Sequence, residues 1–505
     1  MSALLEAIEQ RPAAAFAAFA ALHLAVWTAL PAALYPNLPL DLIEALTYGR
    51  EWQLGYDKLP PLPWWLVEIV YRLFGWDLFY YALAQVAVIA AFAAVWSMAR
   101  PLVGATGALV ALLLLDGLHY VHFTAAKFNH DVIQLPFWAL AGYAFWAALR
   151  QDDPKARLLH WVLLGLAIGL ALWAKYFVFV LALPLGLFLL LDRDARRALA
   201  TPGPYVAVFV ALVVAAPHLV WLVGNDFLPF RYADARSLHS RGLFDHVLRP
   251  LQFVVGQFFF VLPVFVIAIP LLVKRSQPHR PVVTDFDRRI VTLLAFGPAV
   301  TVAALSLLTG RGTIAMWGYP LWMFLGLWIV MVPGAAIDRA RLKRVAVLWT
   351  IVFFSFATAF VVSYAVLPAF DGRYRAVFFP GDRLGAEMSA RFRALTGRPL
   401  AYVVGSMWTG GNAAHYAPER PRVLIDGSPS RAPWIDLGDL RAKGAIVVWT
   451  ESDPRVLPVP FRDIAVDAEI QQPFMLPYRR GRGEVQVGWA LLRPRPVVAG
   501  ITPPR

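Results

Sequence analysis

Six charged residues, Asp41, Glu44, Arg50, Glu51, Asp57 and Lys58, fall in one short stretch of a chain in which only 16% of residues are charged. The stretch runs from Asp41 to Trp65, DLIEALTYGREWQLGYDKLPPLPWW. Two kinds of chemistry suit it. Asp41 and Glu44 stand three apart and share a face of a helical turn, which fits a carboxylate base held beside a second polar group; the alternative is a pair of solvated loop acids. Lys58 precedes Pro60-Pro61-Leu62-Pro63. Its ammonium is a compact cation suited to a phosphate, and the prolines fix the backbone that follows; the alternative is a lysine snorkelling at an interface. Glu44, Tyr56 and Asp57 are candidates for substrate contact.

Three further polar segments could join this site. In HYVHFTAAKFNHDVIQ, Asp131 is a second candidate catalytic acid, and Asn129 and His130 are candidate substrate ligands. His119 and His122, three apart, could bind a divalent metal, but without further fixed spacing the motif is weak. No cofactor is therefore expected, a divalent metal being the alternative. The segment 224–250 contains Asn225, Asp226, Arg231, Tyr232, Arg236, His239 and Arg241. Arg231, and Arg311 between Gly310 and Gly312, are candidates for a phosphate headgroup; the alternative is ordinary attraction to anionic lipid. His218 reads as a helix-packing donor. Gly405-Ser-Met-Trp-Thr-Gly-Gly-Asn412 follows a strand but lacks the order of a phosphate-binding glycine loop, and reads as a packing turn.

The elements that must position these residues are set by composition. The chain has 505 residues, 59% of them hydrophobic and 14% aromatic, and a mean hydropathy of +0.58. That is too apolar for a water-soluble globule. It has no cysteine, which excludes disulfides, thiolate nucleophiles and zinc–thiolate or iron–sulfur sites. The net charge of +13 raises the question of nucleic acid, but the placement of the basic residues points to lipid headgroups and to no nucleic-acid partner.

Apolar blocks of spanning length recur at 14–35, 78–99, 102–118, 132–149, 158–174, 177–191, 205–223, 251–273, 290–308, 313–332 and 345–367, about eleven in all. The first is too long, and lacks the cleavage site, for a removed signal peptide. Compact basic clusters occupy alternate loops: Arg100; Arg150, Lys155 and Arg157; Arg193, Arg196 and Arg197; Lys274, Arg275, Arg280, Arg288 and Arg289; Arg339, Arg341, Lys343 and Arg344. The positive-inside rule puts these in the cytoplasm and the candidate loops, 36–77, 119–131 and 224–250, outside. Trp64 to Trp76, interrupted by Glu68 and Arg72, reads as an amphipathic helix in the interface. After Leu367 the composition turns polar. Strands at Leu400–Val404, Arg422–Ile425, Ala445–Trp449 and Val485–Leu492, with helices at Asp382–Thr396 and Asp436–Lys443, predict a small α/β domain and a poorly ordered tail after Arg493. The expected division is a helical membrane domain at 1–370 and an outer cap at 371–505.

D-x-x-E opening the first outer loop, followed by Tyr56-Asp57-Lys58-Leu59-Pro60-Pro61-Leu62-Pro63, resembles the polyprenyl-phosphate-dependent membrane glycosyltransferases. These are the C-type fold of the protein O-mannosyltransferase and lipid A aminoarabinose transferase superfamily, close to bacterial families 39 and 83. The resemblance implies a polytopic α-helical enzyme of the bacterial inner membrane with a periplasmic C-terminal domain. It also implies transfer of a sugar, with inversion, from a polyprenyl-phosphate donor to a glycolipid or glycan acceptor of the lipid A or lipopolysaccharide-core type. Asp41 falls on the family's catalytic carboxylate and Lys58 on its lipid-phosphate lysine. Many relatives have Asp-Glu adjacent, whereas Leu42 follows Asp41 here, so the pattern assigns Glu44 no role. The competing class is a lipid or solute transporter or flippase, which would place ionisable residues inside its spans; here the polar residues gather on one face.

Overall fold

The computed structural model describes residues 10–236, 239–272, 283–331 and 337–495. Lys274, Arg275 and Arg280 of the predicted cytoplasmic clusters, and the tail from residue 496, lie outside them. The chain forms two compact units, one of residues 1–31, 58–63 and 78–360 and the other of residues 32–57, 64–77 and 361–505.

The first unit is helical. Its elements are α1 (Pro12–Leu34), which runs on into the second unit, α4 (Leu78–Leu115), α5 (His130–Arg150), α6 (Pro154–Ala174), α7 (Phe179–Leu191), α8 (Gly203–Gly224), α9 (Leu228–Arg236), α10 (Asp245–Leu272), α11 (Asp285–Thr309), α12 (Leu325–Met331) and α13 (Arg339–Val361). Among the described residues, eight helices are long and apolar enough to cross a membrane, which makes the chain a multi-pass membrane protein. Four of the eleven predicted blocks do not each form one long, independent helix. Blocks 78–99 and 102–118 are two helices that meet end to end within α4 across a kink at Gly104, whose φ of 72° only glycine adopts readily. Block 177–191 yields the 13-residue α7. Block 313–332 folds as a 3-10 turn at Ala315–Gly318 followed by the 7-residue α12.

Two ends of this unit are distinct. The 21 residues of α5 separate Arg150 from His130 by about 30 Å at 1.5 Å per residue. At the Arg150 end, basic clusters from separate loops meet acids: Arg150 Nε lies 3.2 Å from Asp287, and Arg289 reaches Asp192 and Asp194 at 2.7 Å each. Three of the loops that the charge rule groups on one side thus converge at one end.

The second unit contains α2 (Leu40–Gly49), most of α3 (Leu62–Phe74), α14 (Gly381–Thr396), α15 (Thr409–Tyr416) and α16 (Leu437–Lys443). Its strands are β1 (Tyr402–Gly405), β2 (Arg422–Ile425), β3 (Ala445–Trp449), β4 (Glu469–Ile470), β5 (Phe474–Pro477) and β6 (Glu484–Leu492). The order is β2-β1-β3-β6-β4, with β5 also on β6. β1 pairs parallel with β2 and β3, and β6 antiparallel with β3. The four predicted strands and two predicted helices correspond to β1, β2, β3, β6, α14 and α16, while β4, β5 and α15 lie outside the expectation. On one face of this sheet Tyr402, Val404, Leu424, Leu440, Val447 and Trp449 form a buried core.

The glycines of the 405–412 segment serve packing. A Cβ on Gly405 would lie 2.9 Å from Gly410 Cα, and one on Gly411 would lie 2.7 Å from Ile43 Cγ2. They let α15 lie close to both β1 and α2. In the same helix, burial and the nearby Arg420 push the His415 imidazole down to about 3, and its Nδ1 is buried without a hydrogen-bond partner among the described residues. Folding therefore favours neutral His415. The stability this contributes is complete above the ordinary value of 6.5 and is lost as pH falls toward about 3. Amide exchange across α15, corrected for intrinsic rates, is expected to rise through that window, and His415→Gln to flatten the dependence.

Candidate active site

The opposite end of the first unit, where the predicted outer loops lie, gathers residues from several segments. His130, buried at the start of α5, holds the carbonyl of Pro60 through Nε2 at 3.1 Å. Asn129 caps the same helix, accepting from the Asp131 and Val132 amides at 3.0 and 3.1 Å. Asp131 is thereby fixed in the first turn, where Lys175 Nζ reaches its Oδ1 at 2.6 Å and Gln134 donates to the same atom at 3.1 Å. Lys175 also lies 5.8 Å from the Phe177 ring and 6.0 Å from that of Trp317. Lys58, two residues before the anchored Pro60, sits 5.9 Å from the ring of Tyr232 on α9.

α9 ties this cluster to the remaining arginines. Arg231 is exposed beside Tyr232, and Asp234 pairs with Arg311 at 2.7 Å, both side chains about half exposed at 54% and 45%. Arg311 holds the Asp234 carboxyl below its ordinary range. Chemically, this end offers Lys58, Arg231 and Arg311 as cations for a phosphate, and Asp131 as an acid already engaged by Lys175. His218, fully buried, takes the packing part read from sequence, 2.9 Å from the Tyr176 hydroxyl.

The other candidates lie in the second unit. Asp41 is half-buried in the first turn of α2, and Glu44 is buried one turn on. Tyr56 is 1% exposed, donating its hydroxyl proton to Tyr48 O at 2.7 Å. Asp57 accepts from the Tyr48 hydroxyl at 2.6 Å and from Arg431 Nε at 2.8 Å. Burial, and secondly Asp57, raise the Tyr48 phenol well above its ordinary value. Three acids of the first loop thus meet three arginines of the C-terminal segment: Glu51 with Arg422, Glu68 with Arg420 and Asp57 with Arg431.

The dolichyl-phosphate-mannose-protein mannosyltransferase family matches residues 58–221. The chain is 29% identical over 261 residues to lipid A galacturonosyltransferase RgtD of Rhizobium johnstonii, covering 50% of this chain and 52% of that protein. It is 24% identical over 492 residues to the same organism's lipopolysaccharide core galacturonosyltransferase RgtA, covering 91% and 93%. The match thus spans about half the length of the first relative and nearly all of the second. Among solved structures, ArnT from Cupriavidus metallidurans bound to undecaprenyl phosphate aligns with a TM-score of 0.60 at 14% identity, over 97% of this chain and 99% of that one. The fold is that of the C-type membrane glycosyltransferases.

The resemblance read from Asp41 and Tyr56–Pro63 is borne out at this level. The family match opens at Lys58, so Asp41 stands outside it. Two features of the C-type fold here went unassigned in the sequence. Lys175 was visible only as a lysine at a helix end beside aromatics; its pairing with Asp131 joins residues 44 apart. Arg420, Arg422 and Arg431 carried a signal in their clustering, three arginines within 12 residues of a segment that the acid-rich loop precedes by some 350 positions.

Proposed function

We propose that this protein transfers a sugar from a polyprenyl-phosphate donor to a glycolipid or glycan acceptor of the lipid A or lipopolysaccharide-core type, at the periplasmic face of a bacterial inner membrane. The observation that carries the reading is Lys58 beside a backbone anchored by His130 at Pro60, on a fold shared over nearly its full length with a protein solved with undecaprenyl phosphate. The relatives' names, galacturonosyl and 4-amino-4-deoxy-L-arabinose transferases, support a lipid-linked donor and an envelope acceptor.

In this reading the lipid phosphate is the leaving group. Lys58, with Arg231 and Arg311, offsets the charge that grows on it as the glycosidic bond breaks, which is electrostatic stabilisation of the transition state. Asp41 takes the proton of the acceptor hydroxyl as that oxygen attacks the anomeric carbon from the opposite side, inverting the centre. With a phosphate acceptor no proton needs removal, and Asp41 would orient the acceptor instead. Glu44, Tyr56, Asp57, Asn129 and His130 are the further candidates for substrate contact, Asp131 acts through Lys175, and no cofactor takes part in the transfer.

The test is transfer of labelled sugar from a synthetic polyprenyl phosphate to extracted lipid A, with product inversion read by NMR. Lys58→Ala is expected to weaken donor binding about 10- to 100-fold, from the loss of one charge-assisted contact worth about 1.5–3 kcal/mol. Undiminished donor affinity in that variant would remove the phosphate role.

A further inference from the structure

Away from the outer-end cluster, the first unit encloses a second set of ionisable side chains. His23 of α1, Asp116 just past the end of α4 and His122 of the following loop are each 0% exposed. Asp116 corrects the expectation that acids stay out of the spans: it falls inside the predicted block 102–118. Its Oδ1 lies 2.8 Å from His23 Nδ1 and 3.5 Å from His122 Nε2, and one ligand atom from each residue falls within 4.8 Å of the others. The backbone carbonyl of Asp116 accepts from His122 Nε2, so a cation bound there would move that proton to Nδ1, which is buried without a hydrogen-bond partner among the described residues.

The surroundings orient these atoms. Gln85 donates its amide to Ala125 O at 2.8 Å, so its Oε1, 3.2 Å from His23 Nε2, is the acceptor. That fixes the proton of His23 on Nε2 and leaves a lone pair on Nδ1, facing Asp116. Trp349 donates Nε1–H to Asp116 Oδ2 at 2.6 Å, which leaves Oδ1 for the histidines. Despite the 2.8 Å approach, neither His23 Nδ1 nor Asp116 Oδ1 has an aligned hydrogen bond among the described residues. Two lone-pair atoms aimed at one point, each backed by an outer partner, are what a metal site requires.

Charge leads the same way. Phe92, Phe353 and Phe356 pack on the two imidazoles, so the carboxylate sits in an apolar box. No Lys or Arg pairs with it among the described residues. A buried carboxylate without a compensating cation is costly. Two imidazoles and one carboxylate fit a borderline cation such as zinc, whereas calcium and magnesium call for six or more oxygens.

We propose that His23, Asp116 and His122 bind one divalent cation of the zinc class. The site is structural: it staples α1 to the end of α4 and to the start of the loop that ends at Asn129. It takes no part in sugar transfer and stands independently of the glycosyltransferase reading.

The experiment uses the full chain, purified in detergent, stripped with a chelator and titrated with Co(II). A four-coordinate ligand-field spectrum saturating at about one equivalent per chain, displaced by Zn(II), supports the site. Wild-type protein that takes up no stoichiometric cobalt overturns it and leaves a protonated His–Asp–His triad. In His23→Gln/His122→Gln, affinity is expected to fall by more than about 100-fold, and His119→Gln should bind as wild type. Unchanged binding in the double variant, or loss in His119→Gln, would also overturn the assignment. Should the double variant not fold, the wild-type cobalt titration decides alone.

Discussion

Asp41→Asn is expected to lower the rate of sugar transfer by about 10²–10⁴-fold, the usual contribution of a positioned general base, with donor affinity and unfolding midpoint unchanged. The amide keeps the size and hydrogen-bonding reach of the carboxylate but accepts no proton. Asp41 is half-buried, so the substitution creates no buried vacancy. Its helix, α2, is held in the second unit by the close approach of Gly411 to Ile43. Measurement at saturating donor separates the chemical step from binding: a loss confined to kcat is the signature of a base. Near wild-type turnover would exclude Asp41 from proton transfer and leave it, at most, an orienting group for a phosphate acceptor.

Arg420→Ala is expected to destabilise the second unit by about 3–5 kcal/mol, the range for removing one partner of a buried ion pair. Glu68 has a side-chain exposure of 0% and takes hydrogen bonds from Arg420 at 2.6 and 3.2 Å. Arg420 also lies 3.7 Å above the Tyr71 ring. Arg72 still reaches Glu68 at 2.9 Å after the substitution, which sets the effect toward the lower end. Denaturant unfolding followed by limited proteolysis of the C-terminal segment reads it. Adding Glu68→Gln should recover part of the loss, because the stranded charge is then gone. Lysine at 420 should not, since it has neither the two-pronged donor set nor the flat face that stacks on tyrosine. A loss below about 1 kcal/mol, the level of a surface pair, would show that the carboxylate is reached by water.

What could be read from the chain follows the range of the physics involved. Hydropathy is a property of contiguous residues, so the membrane blocks were legible, and the break between blocks 78–99 and 102–118 falls near Gly104, whose φ is 72°; what hydropathy did not show is that blocks 177–191 and 313–332 fold into shorter elements. Strand alternation and turn residues are local too, and the strands at Arg422–Ile425 and Ala445–Trp449 match the expectation to the residue. Charge density pointed to the first loop, but density does not tell a reacting acid from one used in packing. Glu51, Asp57 and Glu68 find arginines more than 350 positions away, a pairing no local pattern encodes. Lys58 stood out through the rigid prolines after it, and the structure adds the histidine that holds them. Asp116 was hidden by its neighbours: one acid among leucines barely changes a hydropathy average.

The bond between Arg311 and Asp234 gives the outer end a particular economy. With both side chains about half in water, such a pair is weak, so the arginine is held in place at little energetic depth. An arriving phosphate would take it by exchange, displacing one anion with another. In the proposed transfer the site would then work as an ion exchanger, keeping its arginine ordered between turnovers and surrendering it to any anion with the stronger charge.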